Sequence, residues 1–267
     1  MTASRERKHD YGSLPIDIDD PHFHEPLVDI ADYGIAGQAY YSRPNAATTV
    51  AVPGVLNKLY LRKSVAETVR DINVRLGSAV VTHFFGGEVE LYVEDALRPV
   101  SVQAHLHDEL IPALLRKNNP DSSDEEIALR LKDIIAIPST DPKRPSPHAT
   151  GGAMDIILRF KQPTSQYVAN SAVPTGHVDG DTSGRIAPDY FEHTEPVSDA
   201  DKIAQRNRRA YYAIMTGAAF GIDTNFVNNP TEWWHWDRGD QLWAKVAGKP
   251  CAYYGAIELP EQKHLAS

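Results

Sequence analysis

Between residues 62 and 76 apolar side chains return every three or four positions, at Val65, Val69, Ile72 and Leu76. That spacing predicts a helix with one buried face, closed by Gly77. Ile127, Leu131 and Ile134 repeat it over 124–136, where Ser123 and Glu126 stand at the positions of a capping box. A third helix is expected over 199–216, capped by Ser198 and packed through Ile203, Ala210 and Ile214. A period of two marks Val89–Val93 as a strand that runs into Asp95 and ends before Pro99. Strand character returns over Ala153–Phe160, around Thr231–Trp236 and at Ala252–Ile257. Gly34, Gly37, Pro44 and Pro53 interrupt 27–60, which reads as irregular chain with one or two short strands. Residues 138–147 read as a proline-rich loop. The stretch 163–197 has no period, and a loop of that length usually serves function. Residues 1–26 are polar and read as an extended arm. The pattern predicts an α+β protein: a single domain over 27–267 with a central antiparallel sheet flanked by helices.

Composition narrows the function. A chain of 267 residues, 42% hydrophobic and 24% charged, can bury a full core. Its net charge of −9 repels phosphate backbones, so no nucleic-acid partner is expected. One cysteine, Cys251, rules out an internal disulfide and a cysteine-rich zinc site, and reads as a small core residue. No run of about 18 apolar residues is present, so no membrane partner is expected. The polar first residues lack the apolar stretch of a signal peptide, which makes the cytoplasm the expected compartment.

Two segments concentrate chemistry. Ser146, His148, Gly151, Gly152, Ala153 and Asp155 place an imidazole and a carboxylate on either side of a glycine turn. Glu232 and His235 add a third ligand and a nearby acid. Three protein ligands with one open position describe a catalytic zinc site, in which a carboxylate can take a proton from an activated water. On a flat strand, residues three apart point to opposite faces, so Glu232 and His235 can share a site only through a bulge or turn. Trp233, Trp234 and Trp236 read as core or rim. His22, His24, His83, His105, His107, His177 and His193 have no acid at comparable spacing and read as ordinary histidines. Arg98, three residues after Asp95, reads by itself as a surface salt bridge.

Taken together these motifs resemble the D-alanyl-D-alanine dipeptidases of the VanX type, within the superfamily of lysostaphin, D-Ala-D-Ala peptidases and hedgehog. Ser146, His148, Gly151, Ala153 and Asp155 match the signature Ser-x-His-x-x-Gly-x-Ala-x-Asp, and Glu232, Trp234 and His235 match Glu-x-Trp-His. Asp95, Arg98 and Pro99 match Asp-x-x-Arg-Pro, and Asn207, Arg208 and Arg209 before a methionine-containing helix end also fit. The resemblance implies one zinc ion held by His148, Asp155 and His235, with Glu232 as general base and Arg98 stabilising the oxyanion. It also implies substrate contacts from Ser146 and Asp179, and a small D,D-dipeptide as the partner. Longer loops at 105–145 and after Asp179 leave two alternatives open. One is a D,D- or L,D-carboxypeptidase of peptidoglycan stems; the other is a zinc-binding module without catalysis.

Overall fold

The computed structural model describes residues 11–175, 198–229 and 232–257. Its centre is a five-stranded sheet in the order β2–β4–β5–β7–β6. The strands are β2 (Ala36–Gly37), β4 (Val89–Asp95), β5 (Ala153–Phe160), β6 (Val227–Asn229) and β7 (Glu232–Asp237). Every pairing is antiparallel except the short edge pair of β2 with β4, which is parallel. A separate antiparallel ribbon joins β1 (Leu27–Asp29) to β3 (Tyr60–Arg62). β1 and β2 are the short strands expected between 27 and 60, and β3 starts where that segment ends.

Val89, Leu91 and Val93 of β4 pair with Phe160, Leu158 and Ile156 of β5, so one sheet face is continuously apolar. Helix α1 (Lys63–Leu76) covers it with the predicted stripe of Val65, Val69, Ile72 and Leu76. Burying such side chains stabilises the fold by about 1.5–3 kcal/mol each. Gly77 closes α1 without entering the left-handed region. Ser78 then caps a short unpredicted helix, α2 (Ala79–Phe85).

After Pro99 the chain forms α3 (Val100–His105), a π turn at Leu106–Leu110, α4 (Ile111–Asn118) and α5 (Asp124–Ile134). Ser123 and Glu126 form the capping box of α5 reciprocally. Val102, Leu106, Ile111, Leu115 and Ile127 make a second, smaller core inside this helical insert. Helix α6 (Asp199–Met215) begins at Ser198 as predicted and buries Ala204, Tyr211 and Ile214, but Ile203 faces solvent. The apolar stripe starts one position later than the sequence reading placed it. Helix α7 (Gln241–Val246) follows β7.

The strand expected at Ala252–Ile257 is a correction. Only an isolated bridge from Ala252 to Ile16 forms. The amides of Tyr253 and Tyr254 both go to the carbonyl of Gly239, and that of Ile257 goes to Ala149, so no neighbouring strand lies in register among the described residues. Cys251 is half-buried and free.

Candidate metal centre

The cluster lies where β4, β5 and β7 meet the turn before β5. Asp95 pairs with Asp155, and Asp155 pairs with His235, so the three stand in one row across three strands. Residues directly opposite in a sheet share a face. Asp95 belongs by parity to the apolar face of β4. A register shift between Val93 and Asp95 moves it onto the face of Asp155.

A larger irregularity places Glu232. Asn228 pairs with Trp236, whereas the next residue, Asn229, pairs with Glu232. Three residues of β7 therefore bulge against none of β6, and Glu232 turns to the side of His235, its carboxylate 3.9 Å from His235 Nδ1. Asn228 fills the bulge, its amide lying 2.8–3.2 Å from the carbonyls of Glu232, Trp233 and His235. Asn229 donates to Glu232 Oε2 at 2.8 Å. Trp233 and Trp236 enter the core, while Trp234 stays at the cavity rim.

His148 sits on a 3₁₀ turn, Pro147–Thr150, that ends at Gly151 with φ +71°. A side chain at Gly151 would meet Leu27, and one at Gly152 would collide with the Arg238 carbonyl. The turn is held from outside. Arg62 Nε donates to the Thr150 carbonyl, Arg98 N to that of His148 and Ile257 N to that of Ala149. The same Arg62 guanidinium reaches the carbonyls of Phe23, Glu25 and Gly255, which ties both ends of the described chain to the turn. Residues 11–26 thus lie against the site, and Tyr11 lines its cavity.

The donor set suits a divalent cation. One ligand atom from each of His148, Asp155 and His235 lies within 4.8 Å of the others, the one such group among the described residues. His148 Nδ1 meets the Ala96 carbonyl at 2.7 Å. A carbonyl only accepts, so Nδ1 carries the proton and Nε2 keeps a lone pair, 3.5 Å from Asp155 Oδ1. His235 Nδ1 stands 2.9 Å from the same Asp155 oxygen. These spacings bracket the roughly 3.3 Å between neighbouring ligands of a tetrahedral ion bound at about 2.0–2.1 Å. Burial works against ionising Asp155, but the two imidazoles outweigh it and hold the carboxyl well below its usual range. Burial likewise opposes an imidazolium at His235, yet Asp237 and Asp155 raise its pKa well above normal. The Asp155 carboxylate therefore stays ionised and can offer an oxygen to a divalent cation.

Arg98 is buried, correcting the reading of a surface pair. Its Nε and Nη2 hold Asp95 Oδ2 at 2.8 and 2.7 Å, Nη1 donates to Gln103 at 2.7 Å, and Nη2 reaches Asp155 Oδ2 at 3.4 Å. Gln103 in turn donates to the Ala136 carbonyl. A cavity of about 100 Å³ opens beside these groups. Arg98, His148, Asp155, Glu232, His235 and Asn229 line its polar side; Tyr41, Ile111, Ile135, Pro147, Trp234 and Leu242 line its apolar side. Ile111 and Ile135 show that the expanded 105–145 segment does border the cavity.

Ser146 is buried at the start of the turn, and its hydroxyl has no hydrogen-bond partner among the described residues. Asp179, His177 and His193 lie outside the described residues. His22, His105 and His107 pair with Asp20, Glu109 and Asp108 at the surface. Sequence reasoning passed over Asn228, Asn229, Gln103 and Asp237. Of these only Asp237 carried a signal, since His235 and Asp237 at spacing two share a strand face. Asn207 and Arg208 are buried on α6 and donate to the carbonyls of Pro174 and Thr175. No helix among the described residues is long and apolar enough to cross a membrane.

No family model matches the chain. It is 32% identical over 188 residues to a D-alanyl-D-alanine dipeptidase of Synechocystis sp., an alignment that covers 63% of this chain and 70% of that protein.

Proposed function

Because the chain belongs to the D-alanyl-D-alanine dipeptidase family, and so to the peptidases, we propose that it hydrolyses a short D,D-peptide, D-alanyl-D-alanine in the first place, with one zinc ion held by His148, Asp155 and His235. The observation that supports this most is the convergence of the three ligand atoms with Glu232 and Arg98 on one cavity. When bound, zinc polarises a peptide carbonyl and acidifies water.

The chain's own groups account for the rest. The Glu232 carboxylate, oriented by Asn229, takes a proton from the attacking water as the new C–O bond forms. It returns that proton to the leaving amine nitrogen as the C–N bond breaks. Arg98 faces the cavity with a charge that cannot be lost: burial opposes it, but Asp95 and Asp155 outweigh burial and raise its pKa further. It stabilises the negative charge that develops on the carbonyl oxygen. The apolar wall receives the methyl groups of a small dipeptide. Ser146 and Asp179 are the proposed contacts for the rest of the substrate.

The test separates metal binding from chemistry. Glu232→Gln is expected to keep zinc and lose at least about 10²-fold in kcat, since an amide cannot accept the proton. His235→Ala is expected to lose zinc itself, read by metal analysis. Full zinc occupancy in His235→Ala, or near-normal turnover of Glu232→Gln on D-Ala-D-Ala, would refute the reading. A panel with longer stem peptides checks the substrate class.

A further inference from the structure

We propose that Asp237 is a positioning residue of the metal centre: its buried carboxylate accepts the Nε2 proton of His235 and so turns the Nδ1 lone pair toward Asp155 and His148. The inference rests on the metal reading above and adds a residue to it.

The geometry is direct. His235 Nε2 stands 2.9 Å from Asp237 Oδ1, and both side chains are buried, Asp237 completely. His235 pairs with Asp155 and Asp237 with Ala153, so the two point from one face of β7. The imidazole is thus held between two carboxylates, Asp155 at Nδ1 and Asp237 at Nε2. Only one ring nitrogen of a neutral imidazole carries a proton. With a cation between Asp155 and His148, Nδ1 is the nitrogen that must give its lone pair to the centre, so Nε2 is the nitrogen left to donate to Asp237. His148 shows the opposite assignment, with Nδ1 donating to the Ala96 carbonyl and Nε2 facing the centre. The two histidines would therefore ligate through different nitrogens, each fixed by its own outer partner.

A second observation is what Asp237 meets besides His235. Its other oxygen, Oδ2, and Oδ2 of Asp240 receive no N–H or O–H from any described residue, although both are buried. The other oxygen of Asp240 caps α7 by accepting from Trp243 N at 2.8 Å. The Asp237 carboxyl is thus left turned on His235 Nε2. Among the described residues no lysine or arginine hydrogen-bonds this fully buried carboxyl, and a structural role alone does not call for one there. Beside a ligand imidazole it raises ligand basicity and fixes the tautomer.

Two measurements test this. Zinc affinity of the purified chain is read by chelator competition for wild type, Asp237→Asn and Asp237→Ala, beside the melting point of each metal-free protein. The expected result is zinc binding weakened about 10-fold to 100-fold, alanine more than asparagine, with metal-free melting points little changed. Wild-type affinity in both variants would overturn the proposal. The second measurement needs no variant: NMR of ¹⁵N-histidine-labelled, zinc-loaded wild type should show His235 protonated at Nε2 and His148 at Nδ1. A His235 protonated at Nδ1 would overturn the proposal even if neither variant folds. Wild type that binds no zinc at these histidines would overturn the metal reading along with it, whereas zinc binding with the opposite tautomer would overturn this inference alone.

Discussion

Arg98 has a structural place beside the chemical one proposed for it. Its fork is spent largely on Asp95, and its remaining reach ties Asp155 to Gln103. Arg98→Ala would leave the buried Asp95 carboxylate without its cation, a loss of about 3–5 kcal/mol for breaking a buried pair. Thermal melts of that variant should show a marked drop. Arg98→Lys keeps the charge but not the planar fork. It should fold, and steady-state kinetics on D-Ala-D-Ala should show kcat lowered by about 10²–10³ with a smaller change in KM, as for a lost oxyanion donor. A rise in KM alone would instead make Arg98 a holder of the substrate carboxylate. Neither the burial nor Gln103 could be read from Asp95, Arg98 and Pro99 as a string, because both depend on where the α3–α5 insert folds back.

At the scale of elements, the β6–β7 bulge is what brings Glu232 and His235 to one side of the sheet. A regular strand would send the acid into the core beside Trp236. Asn228 sits where the register jumps and donates to carbonyls that the ladder leaves over. Asn228→Ala should cost about 1–3 kcal/mol for buried acceptors left unsatisfied. Its larger effect should fall on turnover: kcat lowered while zinc affinity stays near wild type, because Glu232 moves and the three ligands do not. Chelator competition beside kinetics checks this, and an equal loss of both would show that the bulge supports the whole site. The need for such a bulge was legible in the spacing of Glu232 and His235, as were α1, the capping box of α5 and the start of α6. The identity of the partner strand was not, since pairing is set by contacts distant in sequence.

Among the described residues the His148, Asp155 and His235 cluster and the main core occupy different faces of one sheet. The core of β4, β5, α1 and α6 closes without any of the three ligands. Removing zinc with a chelator should therefore lower the melting temperature but leave the far-ultraviolet circular dichroism of the folded protein. At free zinc a thousand times Kd the bound ion adds about 4.1 kcal/mol. At about 2–4 °C per kcal/mol for chains of this size, a fall of roughly 8–16 °C is expected in a thermal melt. Collapse of the circular dichroism on chelation would show instead that the ion is structural.

The sequence by itself determined the mixed α+β class, the principal helices and strands, and the residue types that gather at the site. It could do so because helical and strand periods, caps and the ligand motifs are local properties of the chain. Tertiary structure alone decided the rest. The parallel edge strand, the bridge in place of a strand at Ala252–Ile257, the burial of Arg98 and the pairing of Asp237 with His235 each depend on which segment lies alongside. A row such as Asp95, Asp155 and His235 joins residues 60 and 80 positions apart, and only the register of three strands, with one irregularity between β4 and β5, brings them to one face.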